Sequence, residues 1–353
     1  MTALAQLFKS RIARTGPITL ADYMADCLMH PEHGYYATRD PLGAAGDFTT
    51  APEISQMFGE LIGLTLAQVW LDQGSPHPFT LAELGPGRGT LMADILRATA
   101  GVAGFKAAAQ VHLVETSPTL RAKQAELLGD VTFHDTVNTL PDQALFLIAN
   151  EFFDALPIRQ FTRDPAGWAE HVVGLQADAL TLGQGPAAPI SALQHRLADT
   201  KVGDTVEFCP ALPAITQTIS RQISAHGGVA IIIDYGDWAS QGDTLQALAQ
   251  HRAVSPFENP GEADLTAHVD FAEICRSLTA GTLHSRVTGQ GMFLERLGIT
   301  DRARQLAQHL TADALEAHIQ AHRRLTHPDE MGTLFKVVAL YPEGQNPPAG
   351  LEP

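Results

Sequence analysis

The sequence predicts an α/β fold in which helices cover both faces of a doubly wound, mostly parallel sheet. Strand-like and helical patterns alternate over residues 79–156, which is typical of a parallel sheet. The first apolar run leads into a glycine turn, Gly85-Pro-Gly-Arg-Gly89, and then into a helix. A further apolar run at residues 229–234 reads as the clearest buried strand. These observations define a Rossmann-like sheet with additions at its N-terminal end and in its middle.

The composition allows a large core and excludes several classes of protein. A chain of 353 residues with 45% hydrophobic residues can bury a substantial interior. The net charge of −16 argues against a nucleic-acid surface, and we expect no nucleic-acid partner. No apolar run is long enough to span a bilayer, so we expect no membrane association. Three cysteines lack C-x-x-C pairing, and the 15 histidines supply no set of four ligands, so we expect no metal.

Residues 1–75 are predicted to form a helical segment before the sheet. Leu4, Leu7, Phe8 and Ile12 make one helical stripe, which residues 15–17 end, and a second helix covers about 19–29. A loop containing residues 33–36 and 46–48 follows, and a long helix is predicted to start at Pro52.

The glycine turn indicates a cofactor without phosphate. Thr90 stands where a dinucleotide fingerprint has its third glycine, and Glu83 would repel a pyrophosphate. S-adenosylmethionine carries a sulfonium and an ammonium group, and a nearby carboxylate favours both. The pattern therefore favours S-adenosylmethionine over NAD, while an NAD(P)-dependent oxidoreductase and a purely structural turn remain open.

The next strand, residues 111–115, ends in Glu115, whose carboxylate can accept both ribose hydroxyls of a nucleoside. Ser117 is predicted to cap the helix that starts at Pro118. The alternative is that Glu115 only sits near this helix N-terminus. A third strand is predicted at residues 131–134, before Asp135.

The fourth strand, residues 144–150, ends in Asn150-Glu-Phe-Phe-Asp154. Ligands bind at the carboxyl ends of such strands, so the amide and the two carboxylates are candidates for gripping an acceptor. The alternative is a capped strand end with two phenylalanines in the core.

The rest of the chain divides into three parts. Residues 157–210 contain strand-like runs at 168–175, 179–182 and 204–209, which predict an inserted subdomain. Residues 237–270 read as a polar segment punctuated by glycine and proline, and 333–340 as a final strand. The predicted domains are therefore 1–75, 76–341 with the insertion at about 157–210, and a flexible tail at 342–353.

Five motifs occur in an order that resembles one family. They span residues 46–60, 83–92, 150–157 (Asn-Glu-Phe-Phe-Asp-Ala-Leu-Pro), 233–236 and 264–271. Together they resemble the MidA-like family of class I S-adenosylmethionine-dependent methyltransferases, whose mitochondrial members are complex I assembly factors that methylate a protein arginine. The resemblance implies an arginine methyltransferase whose partner is a protein of the complex I subunit kind. A non-catalytic assembly chaperone that binds S-adenosylmethionine remains an alternative.

The motifs and the resemblance together give the candidate site. The cofactor-binding candidates are Thr50, Glu83, Gly85, Pro86, Gly87, Glu115, Thr116, Ser117, Asp135 and Asn150, and the catalytic candidates are Asn150, Glu151 and Asp154.

Two carboxylates can hold a guanidinium fork, and Glu151 is preferred for this, while Asp154 is a second clamp or a cap. Phe152 or Phe153 can stack on the guanidinium. Asp47, Thr50 and Glu53 are expected to belong to a lid that closes over the cofactor.

The N-terminus has basic residues and no acid before Asp22, which superficially resembles a mitochondrial transit peptide. The same residues suit a helix docked on the fold, and no removable extension precedes the family-like sequence. We therefore expect a bacterial cytoplasmic protein.

Overall fold

The computed structural model describes residues 2–38 and 50–353. Its helices are α1 Ala3–Thr15, α2 Leu20–Met29, α3 Tyr35–Thr38, α4 Ala51–Ile54, α5 Gln56–Asp72, α6 Thr90–Ala98, α7 Phe105–Ala108, α8 Pro118–Leu128, α9 Leu212–His226, α10 Phe271–Arg276, α11 Gln290–Arg296, α12 Ile299–Ala307 and α13 Ala312–Thr326. Its strands are β1 Ile18–Thr19, β2 Phe79–Leu84, β3 Ala109–Val114, β4 Thr132–His134, β5 Leu145–Asn150, β6 Arg159–Asp164, β7 Gly167–Gln176, β8 Ala179–Ala188, β9 Thr205–Phe208, β10 Gly228–Asp237, β11 Gln246–Ala249, β12 Arg252–Val254, β13 Asp264–Thr266, β14 Val269–Asp270, β15 Thr282–His284, β16 Thr288–Gly289 and β17 Phe335–Pro342.

The central sheet has the strand order β4-β3-β2-β5-β10-β17-β15, with β14 and β16 paired at its margins. The strands from β4 to β10 are parallel, and β17 is antiparallel to both β10 and β15. The chain winds outward from β2 to β4 and then restarts at β5 on the other side. The order therefore reverses between β2 and β5, and ligands of doubly wound sheets bind at the carboxyl ends of the strands at such a point.

Alternate side chains of the central strands fill two hydrophobic layers. Ala82 and Leu147 belong to the layer that contains α1, α2 and α9, while Leu81 and Phe146 belong to the layer with α5 and α6. Both faces are therefore covered, which is why β2 and β5 are apolar almost throughout.

Helices α5 and α6 pack closely because α5 carries glycine at the contact. A β-carbon at Gly59 would lie 2.6 Å from Asp94 Cβ, and one at Gly63 would lie 2.9 Å from Ile95 Cα. The pair covers one face of the sheet beside the glycine turn that precedes α6.

Two smaller sheets flank the central one. Strands β6 to β9 form a sheet within residues 159–208, and β1 of the N-terminal segment pairs with β7. Strands β11, β12 and β13 form a three-stranded sheet. The second of these lies within residues 237–270, the polar segment with glycine and proline in which the sequence predicted no strand.

Two further expectations differ from the structure. The long helix expected from Pro52 is two helices, because Ser55 is extended (φ −160°, ψ 136°) and its hydroxyl accepts a hydrogen bond from Met57 N. The last residues are not a free tail. Leu351 is buried, Glu352 O accepts from Arg286 N, and the Glu352 carboxylate lies 2.6 Å from Arg296 Nη2.

Within the described ranges, no helix combines the length and the apolar character that a bilayer crossing requires.

Candidate active site

A cavity of about 520 Å³ lies at the carboxyl ends of β2, β3, β5 and β10. Its volume is in the usual range for a small-molecule site. The cavity is lined by all but one of the candidates named from the sequence, namely Thr50, Glu83, Gly85, Pro86, Gly87, Glu115, Thr116, Asp135, Asn150, Glu151 and Asp154. The exception is Ser117, which is buried and caps α8 by accepting from Leu120 N.

The glycine turn brings backbone to the cavity wall. Gly85 and Gly87 have φ of +61° and +55°, a region that residues with a β-carbon rarely adopt. A β-carbon at Gly85 would also lie 3.0 Å from Phe152 Cδ2. Gln124 Nε2 donates to Gly87 O at 2.7 Å and fixes the turn against α8. A ligand can therefore approach the main chain closely here.

Glu83 presents a buried carboxylate without a complete set of partners. Its side chain is at the end of β2, the residue is 3% exposed, and the N–H of Met92 donates to it. No described group hydrogen-bonds to Oε2. Burial raises the pKa of Glu83 to about 8. An unsatisfied acidic oxygen in a buried wall suits a cationic ligand, such as the ammonium group of S-adenosylmethionine.

Glu115 lines the cavity and also binds the start of α8. Its Oε1 accepts from Ser117 N at 2.8 Å, and its Oε2 accepts from Gln124 Nε2 at 3.4 Å. Burial raises the pKa of Glu115, and these hydrogen bonds oppose the rise. The capping role is therefore present, and the ribose role stays a prediction.

The residues after β4 form the next part of the wall. Asp135 pairs with Arg121 at 2.6 Å, and its side chain is largely exposed. Thr136, Val137 and Asn138 also line the cavity, and Val137 is buried. The sequence did not predict these three residues. The available signal was that they follow a parallel strand, and ligands bind at the carboxyl ends of such strands.

Glu151 connects the end of β5 to the N-terminal segment. Its Oε1 accepts from Ala51 N at 3.2 Å and from Asn150 Nδ2 at 3.1 Å, and its φ is +52°. Burial raises the pKa of Glu151 to about 7, against the opposing effects of these donors and of the charge on Arg324.

Asp154 is buried and only partly satisfied. The residue is 6% exposed, and no described group hydrogen-bonds to its Oδ1. Burial raises the pKa of Asp154 well above its ordinary value, as do the nearby charges of Asp234, Glu151 and Asp264. An unsatisfied oxygen on the cavity wall is available to a cationic ligand.

Asp234 organises the loop that carries these groups. Its Oδ2 accepts from the backbone N–H groups of Phe152, Phe153 and Asp154 at 3.2, 2.9 and 3.3 Å. Its Oδ1 accepts from Tyr235 N at 2.9 Å. This residue belongs to the motif at 233–236, to which the sequence assigned no role; the available signal was an acid at the end of the clearest buried strand.

The remaining wall comes from distant parts of the chain. Tyr36 of α3, Tyr235 of β10 and Asp264 and Thr266 of β13 line the cavity. Tyr36 donates its hydroxyl to Asp264 Oδ1 at 2.9 Å. These residues were not predicted.

The two phenylalanines have different positions. Phe152 lines the cavity, whereas Phe153 is 3% exposed and packs in the core. Only Phe152 is therefore placed to stack on a ligand there.

The segment expected to act as a lid is partly described. Thr50 lines the cavity, and Glu53 Oε1 accepts from Thr90 Oγ1 at 2.5 Å, which attaches α4 to the start of α6. Asp47 and the motif at residues 46–48 lie outside the described residues.

Comparison with known proteins agrees with this geometry. Residues 61–288 match a protein family described as "Putative S-adenosyl-L-methionine-dependent methyltransferase". A crystal structure of a Burkholderia thailandensis protein bound to S-adenosyl-homocysteine is similar, with a TM-score of 0.83 and 30% identity, covering 99% of this chain and 94% of that one.

Curated relatives are similar over almost the whole chain. Protein arginine methyltransferase NDUFAF7, mitochondrial, of Homo sapiens is 34% identical over 97% of this chain and 84% of its own length. The Drosophila melanogaster homolog is 35% identical over 96% and 85%. These relatives are named as mitochondrial proteins, so the expectation of a bacterial cytoplasmic protein is contradicted.

Proposed function

The chain belongs to the family of S-adenosyl-L-methionine-dependent methyltransferases that its sequence matches, and we propose that it methylates an arginine of a protein substrate. S-adenosyl-L-methionine is the cofactor. The relatives' names as protein arginine methyltransferases support the choice of arginine. The MidA-like resemblance supports a respiratory complex I subunit as the substrate.

One observation carries the assignment of the acceptor. The buried Oδ1 of Asp154 has no partner among the described residues, and it lies on the same cavity wall as the Glu151 carboxylate. A guanidinium is planar, always protonated and offers five donors in a fork that fits carboxylates. Its charge would satisfy the oxygen that the protein leaves unmatched.

The residues divide between the two ligands. Glu83 would hold the cofactor's ammonium group, Glu115 its ribose hydroxyls, and the backbone at Gly85 and Gly87 its amino-acid part. The bound cofactor supplies a methyl group on a sulfonium. The cavity must align this methyl with the acceptor nitrogen and keep water out, and we expect the segment that carries Thr50 and Glu53 to close over it.

The acceptor chemistry requires a carboxylate pair. As the new N–C bond forms, the S–C bond breaks and its electrons stay on sulfur, and one proton leaves the nitrogen. Asp154 would hold the guanidinium and keep its charge away from the attacking nitrogen. Glu151, with a pKa near 7, suits the departing proton. The sequence favoured Glu151 as the clamp. We assign the clamp to Asp154 instead, because Glu151 Oε1 already accepts two hydrogen bonds.

The test separates cofactor binding from transfer. Mass spectrometry compares methylarginine in cells with and without the protein, and labelled methyl transfer is then measured on the protein substrate so found. Asp154→Asn and Glu151→Gln should lower transfer by orders of magnitude, while S-adenosyl-homocysteine affinity changes by less than about tenfold, or roughly 1.4 kcal/mol.

Glu207→Gln is the control, because Glu207 is a half-buried acid bound to Thr244 outside this cavity. Normal turnover of both acceptor variants would contradict the carboxylate mechanism. Loss of cofactor binding together with activity would move the altered residue to the cofactor side. A wild-type protein that binds S-adenosyl-homocysteine but leaves cellular methylarginine unchanged would favour the non-catalytic chaperone.

A further inference from the structure

We propose that Tyr36 and Asp264 complete the guanidinium subsite with Asp154, so that the cavity selects a charged arginine side chain; this rests on the proposed function. Neither residue belongs to the loop after β5. Tyr36 lies in α3 of the N-terminal segment, and Asp264 begins β13 of the three-stranded sheet.

The Tyr36–Asp264 hydrogen bond fixes one carboxylate against the cavity. The Tyr36 hydroxyl donates to Asp264 Oδ1 at 2.9 Å, and Asp264 is 5% exposed. Tyr36 is therefore a positioning residue: its hydroxyl holds one oxygen of the Asp264 carboxylate in place at the cavity wall. A preorganised acceptor binds a rigid fork more tightly than a mobile one.

Asp264 and Asp154 lie on adjoining segments. Ala267, just after β13, donates its N–H to the backbone oxygen of Asp154 at 3.0 Å, and both side chains line the cavity. The two carboxylates are close enough that the charge of Asp264 raises the pKa of Asp154. Two acids that repel each other in this way are relieved by a cation that contacts both.

The charge of the described part of the wall supports a second cationic ligand. The described lining residues include seven carboxylic acids and one basic residue, Arg88. Glu83, near the end of β2, and Glu115, directly after β3, are assigned to the cofactor. The acids beyond β5 therefore remain for the acceptor, and Asp154 has an oxygen without a hydrogen-bond partner among the described residues.

Aromatic groups also line the cavity. Tyr235 and Phe152 both line it, and an arginine side chain can lay its planar group on such rings. A neutral urea would offer the same shape without the charge. Charge is therefore the property by which this subsite distinguishes its ligand.

The experiment measures binding of two small probes to the full chain saturated with S-adenosyl-homocysteine. N-acetyl-L-arginine amide carries the guanidinium, and N-acetyl-L-citrulline amide is its neutral analogue. By calorimetry or by NMR titration, the wild type should bind the arginine probe at least about tenfold more tightly than the citrulline probe. Equal affinity for the two probes would overturn the proposal.

Two variants then test the named residues. Asp264→Asn should abolish most of the preference for the arginine probe, and Tyr36→Phe should reduce it several-fold while S-adenosyl-homocysteine affinity stays within about twofold. Tyr341→Phe removes the hydroxyl of a tyrosine in β17 outside the cavity, and this variant should bind as the wild type does. Unchanged preference in both Asp264→Asn and Tyr36→Phe would overturn the inference.

The outcomes distinguish this inference from the proposed function. A wild type that prefers the arginine probe but forms no methylarginine would leave the subsite standing and remove the proposed reaction. The opposite result is a wild type that forms methylarginine, with Asp264→Asn and Tyr36→Phe equal to it in probe preference and in KM. That result would leave the proposed reaction standing and remove the subsite.

Discussion

Glu83 should make cofactor affinity depend on pH in a defined direction. Its pKa is raised to about 8, so the carboxyl is mostly neutral at pH 7, and only the ionised form pairs with an ammonium group. With that pKa, about 1% is ionised at pH 6 and about 24% at pH 7.5. The free energy needed to ionise the Glu83 carboxyl therefore falls from about 2.7 kcal/mol at pH 6 to about 0.8 kcal/mol at pH 7.5.

The replacement Glu83→Gln keeps the shape and removes the titration. A charge-assisted hydrogen bond stabilises a complex by about 1.5–3 kcal/mol. At pH 6 the free energy needed to ionise Glu83 offsets almost all of this stabilisation. We therefore expect wild type and Glu83→Gln to bind S-adenosyl-homocysteine alike at pH 6. At pH 7.5 the variant should bind about three- to fortyfold more weakly, which corresponds to about 0.7–2.2 kcal/mol.

Isothermal titration calorimetry at pH 6.0, 7.0 and 7.5 measures this difference, with Glu207→Gln as a control acid outside the cavity. The control should follow the wild type at each pH. A Glu83→Gln protein whose affinity differs from the wild type by the same factor at every pH, or not at all at pH 7.5, would refute the reasoning.

Three further changes test other parts of the site. Gly87→Val should abolish S-adenosyl-homocysteine binding in a folded protein, because a β-branched residue rarely adopts φ +55° and the turn that lines the cavity would have to change its backbone conformation; near-native affinity by calorimetry would exclude the turn from the site. Glu115→Ala should weaken S-adenosyl-homocysteine binding by about 1.5–3 kcal/mol, whereas a fall in melting temperature alone would leave Glu115 with only its capping role. Asp234→Asn should lower stability by about 1–3 kcal/mol and slow methyl transfer, since both carboxylate oxygens accept hydrogen bonds and the amide NH2 would have to face either the loop N–H groups or Tyr235 N; an unchanged thermal unfolding curve would contradict this.

The central sheet could be predicted because its strands are covered on both faces. The apolar runs of β2, β5 and β10 leave little doubt between strand and loop, and the glycine turn marks the reversal point. Ser117 and Pro118 fixed the start of α8 by their local chemistry. The strands, the glycine turn and the helix cap depend on residues that are close in the sequence, and the sequence can therefore predict them.

The features that could not be predicted depend on contacts between distant residues. The end of the cavity near Asp264 requires β13, a three-residue strand in a polar segment, to meet α3. Likewise, Leu351 and Glu352 look like a free tail until Arg286 and Arg296 are known to lie beside them. The hydrophobic periodicity of a sequence does not predict contacts of this kind.

The hydrogen bond between Tyr36 and Asp264 also bears on how the protein is made. It joins residues 228 positions apart. At a ribosomal rate of about 5–20 residues per second, Tyr36 precedes its partner by about 10–45 seconds. During that interval α3 has no acid to dock on, and its tyrosine is open to other contacts. The acceptor end of the cavity can therefore form only after most of the chain has been synthesised, so a nascent or truncated chain that ends before β13 lacks it.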